Sequence, residues 1–170
     1  CSPALMGKCV SKSIPINFVS PQGKFLAKIC GETKGNVFLR VAQIDKFRED
    51  NLRLSQNTMA AKFSNTRQVI KRTMHPELRN DADMKRVIEV LSAGIEKADN
   101  ASSIEEVIGI EGNCAKEYFA VFDKLITNPD VSLKFESRSK HPPLNEINAM
   151  LSFVYTLLTN QIASALETVG

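Results

Sequence analysis

The segment SIEEVIGIEGNCAKEYFAVFDKLI, residues 103–126, has the periodicity of an amphipathic helix and decides the predicted fold. Ser102 or Ser103 is the expected N-cap, because Glu105 and Glu106 follow at the spacing of a capping box. Apolar side chains recur at steps of three and four, so one face of the helix is expected to pack in a core. That face consists of Ile104, Val107, Ile108, Ala115, Tyr118, Phe119 and Phe122.

One position on this apolar face carries a carboxylate, Glu111. A carboxylate on a core-facing stripe is costly unless it is paired, protonated or bound to a metal. Gly109 and Gly112 flank it, and each costs about 1 kcal/mol relative to Ala inside a helix. Such glycines usually let another group approach the backbone closely. A helix that breaks near these glycines, with Glu111 facing water, fits the pattern equally well.

A second polar residue, Asn148, falls on the apolar stripe of the helix predicted from Pro142-Pro143 to Val169. A buried amide needs hydrogen-bond partners. One hypothesis is that Asn148 shares a polar pocket with Glu111. An ordinary capped or bridging core amide explains the same pattern, and the residues favour neither interpretation.

Upstream, the helix predicted from about Asn51 to Met74 is basic and ends at His75-Pro76. Between Asn51 and Pro76 there are five basic residues and no acidic one. The helix C-terminus by itself favours cations in its last turn. The absence of any carboxylate over the whole segment favours contact with phosphates. The five basic residues are Arg53, Lys62, Arg67, Lys71 and Arg72.

The charge of the chain is unevenly distributed. Residues 1–76 hold 13 Lys and Arg against 4 Asp and Glu, whereas residues 77–170 hold 9 against 15. A basic half of this size indicates a polyanionic partner, with nucleic acid as the first candidate. A solvated charged face is the alternative that composition alone leaves open.

The first residues predict a short helix and a β-hairpin. Residues 14–20 and 24–30 alternate in polarity, and Ser20-Pro21-Gln22-Gly23 between them has Pro and Gly placed for a tight turn. Two strands alone are marginal in water, so we expect the rest of their sheet upstream of Cys1. This is one reason to expect the chain to be an internal fragment of a longer protein.

The predicted fold class is mainly α, a helical bundle preceded by a partial β structure. Residues 1–34 form the remnant of an N-terminal β domain, and residues 35–170 form a helical domain truncated at its C-terminal end. Further helices are predicted at residues 2–12, about 36–44 and about 83–98.

Composition and motifs exclude several classes of protein. With 43% hydrophobic and 24% charged residues among 170, the chain is not disordered throughout. No run approaches about 18 apolar residues, so no membrane partner is expected. The motifs of P-loops, dinucleotide-binding loops and common hydrolases are absent. The cysteines are widely spaced, which favours free thiols in the cytoplasm: Cys1, Cys9, Cys30 and Cys114.

Two motifs give the chain a family resemblance. One is EG-x-x-A-x-x-Y, residues 111–118, and the other is PPL-x-x-x-NA-x-LSF-x-Y, residues 142–155. Together with SPALMGKC near the start and FVSPQGKFLAKICGETKGNVFLRVAQ at 18–43, they resemble the universal CRISPR adaptation integrase, the first of the CRISPR-associated proteins. The resemblance covers essentially the whole chain, and the linker resembles the subtype I-C branch.

The resemblance implies a metal-dependent DNA endonuclease and integrase that acquires spacers in antiviral defence. It implies Mg²⁺ or Mn²⁺ held by a Glu, a His and an Asp, with Glu111 as the Glu in this sequence. The His and Asp of the family follow the segment that ends at Gly170, so the fragment is expected to be inactive by itself. The resemblance also implies a homodimer and a complex with the second CRISPR adaptation protein.

Around that site, Asn148 and Tyr118 are expected to support the pocket, and the five basic residues of the 51–76 segment together with Arg138 are expected to position double-stranded or branched DNA. Two other functions remain open at this point. One is a helical DNA-binding module without chemistry, and the other is a protein-interaction bundle.

Overall fold

The computed structural model consists mainly of α-helix, with one two-stranded antiparallel sheet in the part of the chain that it describes. The described residues are 1–21, 25–32, 36–127, 133–140 and 142–169. The predicted fold class is confirmed. The helices are α1 (Pro3–Ser11), α2 (Val37–Thr73), α3 (Ala82–Asp99), α4 (Ile104–Ala120) and α5 (Glu146–Val169), and the strands are β1 (Ile16–Val19) and β2 (Phe25–Ile29).

The two strands form the predicted hairpin. Ile16 pairs with Ile29 and Phe18 with Ala27, and the register shifts between Phe18 and Val19. Of the predicted turn, Gln22 and Gly23 lie outside the described residues. The hairpin is therefore present as predicted, but burial does not alternate along the strands: β1 is partly buried throughout, and β2 is exposed over its first three residues.

Contacts between residues divide the chain into two compact units. One unit consists of residues 46–138, and the other combines residues 1–45 with residues 139–170. The predicted domains, 1–34 and 35–170, were drawn from changes in sequence pattern and remain a prediction about the whole protein.

In the unit of residues 46–138, helices α2, α3 and α4 surround one hydrophobic core. The apolar residues of α2 and α3 follow the helical spacing that the sequence predicted, which brings them onto the inner faces of these helices. The helix ends are set by local hydrogen bonds. The Asp81 carboxylate accepts the N–H of Met84 (3.0 Å) and so begins α3. The core residues are Phe63, Ile70, Met84, Val87, Leu91, Ala98, Cys114 and Val121.

α2 consists of two helical segments that meet at a kink. The sequence predicted separate helices at about 36–44 and 51–74, and α2 (Val37–Thr73) is divided at Asp50. Its backbone is non-helical only at Asp50 (φ −148°, ψ 41°), where the predicted break falls. The carboxylate of Asp50 accepts a hydrogen bond from Lys46 Nζ (2.8 Å) across this kink.

The helix predicted over residues 103–126 is shorter than expected. Regular helix ends at Ala120, and Phe122–Leu125 forms a single 3₁₀ turn. The tighter turn packs the Phe122 ring against Phe135, with centroids 4.9 Å apart. It also lets the Asp123 carboxylate accept the N–H of Phe135 (2.7 Å). Contacts with a distant segment therefore override the local helical pattern.

The last helix begins later than predicted. Pro142 and Pro143 precede it, and α5 starts at Glu146 because the Asn145 side chain caps it, accepting the N–H of Asn148 (2.9 Å). Much of the apolar surface of α5 is exposed. By length and composition, Glu146–Leu166 is also able to cross a membrane, a property that core helices share. It does not by itself assign α5 to a membrane, and the absence of a membrane partner remains a prediction.

Candidate metal and nucleic-acid site

The start of α4 is fixed by two serines and one glutamate. The hydroxyl oxygen of Ser103 accepts the N–H of Glu106 (3.2 Å), which makes Ser103 the N-cap. The Glu106 carboxylate accepts the N–H (2.7 Å) and the hydroxyl (2.9 Å) of Ser102. These hydrogen bonds, the backbone N–H first, lower the pKa of Glu106 from its usual value. The predicted capping box is thus present, but Glu106 reaches one residue beyond the cap.

From this cap α4 runs without a break through both glycines. The alternative in which the helix breaks near Gly109 and Gly112 is therefore wrong. A Cβ at either glycine would meet nothing within 4 Å among the described residues. The two glycines were expected to let another group approach the helix backbone closely, but no described residue does so at either position.

Glu111 lies at the edge of the buried face of α4. The centre of that face is formed by Val107, Cys114 and Val121, whereas Ile108, which was predicted to be buried, is 63% exposed. Ile108 is exposed because it lies one residue after Val107, which corresponds to a rotation of about 100° around the helix axis. Glu111 falls between these two directions and keeps one third of its side chain exposed.

The carboxylate of Glu111 is held by a lysine of α2. Lys62 Nζ donates a hydrogen bond to Glu111 Oε1 over 2.6 Å, and the two residues form an ion pair. This pair satisfies the carboxylate without protonation. It also shows that a cation reaches Oε1 from the α2 side.

A shallow groove lies beside Glu111, between the first half of α4 and the part of α2 at and after the kink. Its volume is about 390 Å³. Apolar and small polar side chains line it, and Glu111 is the charged residue among them. The lining residues are Phe47, Asn51, Leu54, Ser55, Thr58, Met59, Ile104, Val107, Ile108 and Glu111.

The close approach between helices is made by a different glycine, Gly94 of α3. A Cβ there would lie 2.6 Å from Cys114 Sγ and 3.3 Å from Phe63 Cδ2. The absence of a side chain thus lets α3 pack directly on α4 next to the Glu111 turn. Burial raises the pKa of the Cys114 thiol, and the negative charge of Glu111 raises it further. Cys114 is therefore a packing residue of the core and not a thiolate nucleophile.

Tyr118 packs at the margin of the core. Its ring lies 5.2 Å from that of Phe119 and 5.6 Å from that of Phe122. Seven residues separate it from Glu111, which corresponds to about 10 Å along the helix axis. Its part in supporting the Glu111 site remains a prediction.

Asn148 belongs to the other compact unit and is almost fully buried. Its side-chain oxygen accepts the N–H of Ser139 (2.9 Å), and its amide donates to the side chain of Asn145 (3.0 Å). These are contacts of a bridging core amide that fixes the start of α5. The hypothesis of a pocket shared with Glu111 remains a prediction.

The predicted phosphate-binding residues differ in their surroundings. Arg53 donates to Gln56 (3.3 Å), Lys62 to Glu111 and Arg67 to Ser92 (3.0 Å). Lys71 and Arg72 are exposed at the end of α2, and neither forms an ion pair with another described residue.

The sixth predicted residue, Arg138, is half-buried. Of the six residues predicted to contact DNA, Lys71 and Arg72 are therefore the two that are exposed and have no ion-pair partner among the described residues.

The described residues do not form a complete metal site. Among the described residues, no three His, Cys, Asp or Glu side chains lie close enough together to hold a metal ion. The side chain of Glu111 is one third exposed and already binds the ammonium group of Lys62, so its carboxylate is accessible to a cation. Mg²⁺ and Mn²⁺ need further oxygen or nitrogen ligands.

Comparison with known proteins shows the protein family to which the chain belongs. The fold is similar to that of a solved CAS1 protein from Thermotoga maritima, with a TM-score of 0.73 over 99% of this chain and 51% of that one, at 22% identity. All 170 residues match the family model described as CRISPR associated protein Cas1. The chain therefore belongs to the Cas1 family.

Relatives in this family are substantially similar in sequence. The chain is 39% identical to CRISPR-associated endonuclease Cas1 1 of Chlorobaculum tepidum, over the whole chain and 51% of the relative. It is 36% identical to CRISPR-associated endonuclease Cas1 1 of Moorella thermoacetica, over 99% of the chain and 50% of the relative. The chain spans about half the length of the curated relatives it matches.

Two features of the site were missed by reasoning from the sequence. Lys62 and Glu111 were both selected, but not as a pair, because they are 49 residues apart. Gly94 was not selected, although an isolated glycine inside an apolar helical pattern was a usable signal.

Proposed function

We propose that this chain is part of a DNA endonuclease and integrase that inserts new spacer DNA into a CRISPR array. Membership of the Cas1 family and the endonuclease names of its relatives support the nuclease class. The observation that carries the proposal is the side chain of Glu111, which is one third exposed beside a groove and paired with a cation. In the family resemblance this same residue is the Glu of the metal site.

Glu111 would hold Mg²⁺ or Mn²⁺ together with a His and an Asp from the remainder of the protein. The described residues provide one of these three ligands. We therefore propose that the 170-residue chain is inactive by itself and that activity belongs to the whole protein.

The proposed reaction is a transesterification of DNA. The 3′-hydroxyl oxygen of a captured fragment bonds to a phosphorus of the CRISPR repeat, and the 3′ oxygen of the repeat leaves as the old phosphodiester bond breaks. The chemistry that the bound metal supplies is stabilisation of the charge on the phosphate oxygens. Glu111 contributes one anionic ligand, and its place on a rigid helix fixes the direction from which that ligand is offered.

The basic end of α2 would position double-stranded or branched DNA. Lys71 and Arg72 are exposed and have no ion-pair partner among the described residues to give up, so they are the first candidates for phosphate contact. Arg53, Arg67 and Arg138 would contribute less directly, because the structure already engages or partly buries them.

We further propose that the whole protein is a cytoplasmic homodimer and binds the second CRISPR adaptation protein. The exposed apolar side chains of α5 support an interface, since a large exposed apolar surface is typical of a surface that is covered by another chain or segment.

The test is an assay of cleavage and strand transfer on branched DNA with Mn²⁺, using the whole protein. Glu111→Ala is expected to lower the rate by at least about 100-fold, because the metal loses a ligand and the site becomes incomplete. Circular dichroism and DNA affinity are expected to stay close to the wild type. Glu111→Gln keeps the size of the side chain and is expected to lose activity equally.

If the Glu111→Ala protein still cut DNA at the wild-type rate, the assignment of this site would be wrong. If instead the wild-type protein did not cut or transfer DNA, a DNA-binding module without chemistry would be the better function, and salt-dependent DNA affinity would distinguish it from a protein-interaction bundle.

A further inference from the structure

The ion pair between Lys62 and Glu111 joins α2 to α4 at the residue that the proposed function assigns as a metal ligand. The atoms Nζ and Oε1 are 2.6 Å apart, and the side chains are 50% and 33% exposed. An ion pair exposed to this degree contributes little to the stability of the fold. We therefore expect the ion pair to affect which other cations can bind the Glu111 carboxylate.

We propose that Lys62 is the built-in counter-ion of Glu111. Its ammonium group occupies the cation position at Oε1, and a divalent cation binds Glu111 only when Lys62 moves away. This inference rests on the proposed function in one respect, that Glu111 is a metal ligand. It adds a role for Lys62, which was selected earlier only as a possible contact to DNA.

Charge explains why the ammonium and the metal exclude each other. A dication on Oε1 would lie within a few ångströms of Nζ, and like charges at that separation repel strongly where water is partly excluded. Among the residues that line the groove, Glu111 is the one carboxylate that offsets this repulsion. Lys62 must leave the carboxylate for the metal to bind at full strength.

The side chain of Lys62 is able to leave. A lysine carries its charge on a flexible four-carbon stem, and this one is half-exposed. Its own helix has no acidic residue from Asn51 to Thr73 that could capture the released ammonium. A DNA phosphate is the available anion in the proposed reaction. Lys62 is therefore a positioning residue that couples DNA binding to metal binding.

Coupling of this kind is reciprocal. If a phosphate draws Lys62 away from Glu111, DNA increases the affinity of the protein for the metal. The increase depends on Lys62, so it should shrink when the lysine is replaced by an uncharged side chain of similar length.

The experiment measures Mn²⁺ binding to the whole protein by the electron paramagnetic resonance signal of free Mn²⁺, with and without DNA. In the absence of DNA, Lys62→Met is expected to bind Mn²⁺ about fivefold more tightly than the wild type. A change of about fivefold is the upper end of what the loss of an exposed ion pair produces. Lys116→Met is the matched control, since Lys116 is an exposed lysine of α4 without an ion pair to a described residue. It should bind Mn²⁺ as the wild type does.

With DNA present, the wild type is expected to approach the Mn²⁺ affinity of Lys62→Met, while the variant itself changes less. Adding Glu111→Gln to Lys62→Met should abolish the gain. Thermal unfolding of every variant checks that the fold is retained.

Equal Mn²⁺ affinity in Lys62→Met and Lys116→Met, or weaker affinity in Lys62→Met, overturns the counter-ion role. The proposed function survives either result if Glu111→Gln alone still weakens Mn²⁺ binding. If Glu111→Gln leaves Mn²⁺ affinity unchanged, the metal-ligand assignment fails, and the role of Lys62 fails with it.

Discussion

The two compact units of the chain differ in how completely their helices are packed. In residues 46–138, α2, α3 and α4 each bury an apolar face in a shared core. In the other unit, α5 leaves many large apolar side chains exposed, among them Phe153, Leu158 and Leu166. Like α3, α5 has apolar residues at steps of three and four, so this spacing alone does not say whether a helix face is covered. The contrast indicates one unit that stabilises itself and one whose apolar faces remain available.

The largest expected effect comes from emptying the core of the first unit. Phe63 is 2% exposed and contacts the Gly94 region of α3, so Phe63→Ala should lower the free energy of unfolding by about 3–5 kcal/mol. Phe153 of α5 is 51% exposed, and Phe153→Ala should cost well under half as much in the same chain. Chemical denaturation of both variants measures the difference. Equal losses would remove the contrast between the units.

The same pair of variants sharpens the comparison in the whole protein. If the exposed face of α5 is covered there, the cost of Phe153→Ala should rise toward that of Phe63→Ala, because the side chain is then removed from an interior. A cost that stays small in the whole protein would mean that α5 keeps this face exposed.

The second-largest expected effect on stability distinguishes Gly94 from Gly109 in the first unit. Gly94→Ala places a Cβ 2.6 Å from Cys114 Sγ and is expected to destabilise the chain by about 1–3 kcal/mol, despite the better helix propensity of Ala. Gly109→Ala is the matched control. It lies in open space and is expected to stabilise the chain by up to about 1 kcal/mol. Thermal denaturation of both variants measures the signs, and a stabilising Gly94→Ala would contradict the packing described for α3 and α4.

These glycines also show how far the sequence could predict the site. The pattern correctly placed Glu111 near a core-facing stripe, and the capping residues correctly placed the start of α4. It could not say which glycine brings two helices together, because that depends on a neighbouring helix. Gly94 was passed over for this reason, while Gly109 and Gly112 were selected for an approach that the described residues do not make.

Other differences have the same physical origin. The end of α4 was predicted too late because Phe135, outside the helix, draws Phe122 and Asp123 into a 3₁₀ turn. The pair formed by Lys62 and Glu111 depends on how α2 lies against α4. Local periodicity and capping determine the elements, whereas contacts between distant segments determine their ends and the partners of charged side chains.

A smaller effect concerns the reactivity of the cysteines in the two units. Burial and the charge of Glu111 raise the pKa of Cys114, so little thiolate forms near neutral pH. Cys1 and Cys30 of the other unit are exposed. At pH 8, iodoacetamide should modify Cys1 and Cys30 well before Cys114, as mass spectrometry of the native chain would measure. Rapid modification of Cys114 under these conditions would mean that the core around Gly94 opens easily.

The smallest expected effect is a pH dependence at the start of α3. A hydrogen bond from Lys124, followed by that from the N–H of Met84, lowers the pKa of Asp81 below its usual value. A carboxyl group with a lowered pKa in the folded state stabilises the fold above its unfolded pKa, near 4, and this contribution is lost as the pH falls through the folded pKa. Asp81→Asn should therefore lower the stability at pH 7, and its difference from the wild type should shrink as the pH falls below about 4. Denaturation curves across this pH range measure the difference in stability between the two proteins. A difference that stays constant down to pH 2 would show that the charge of Asp81 does not contribute to the stability of the fold.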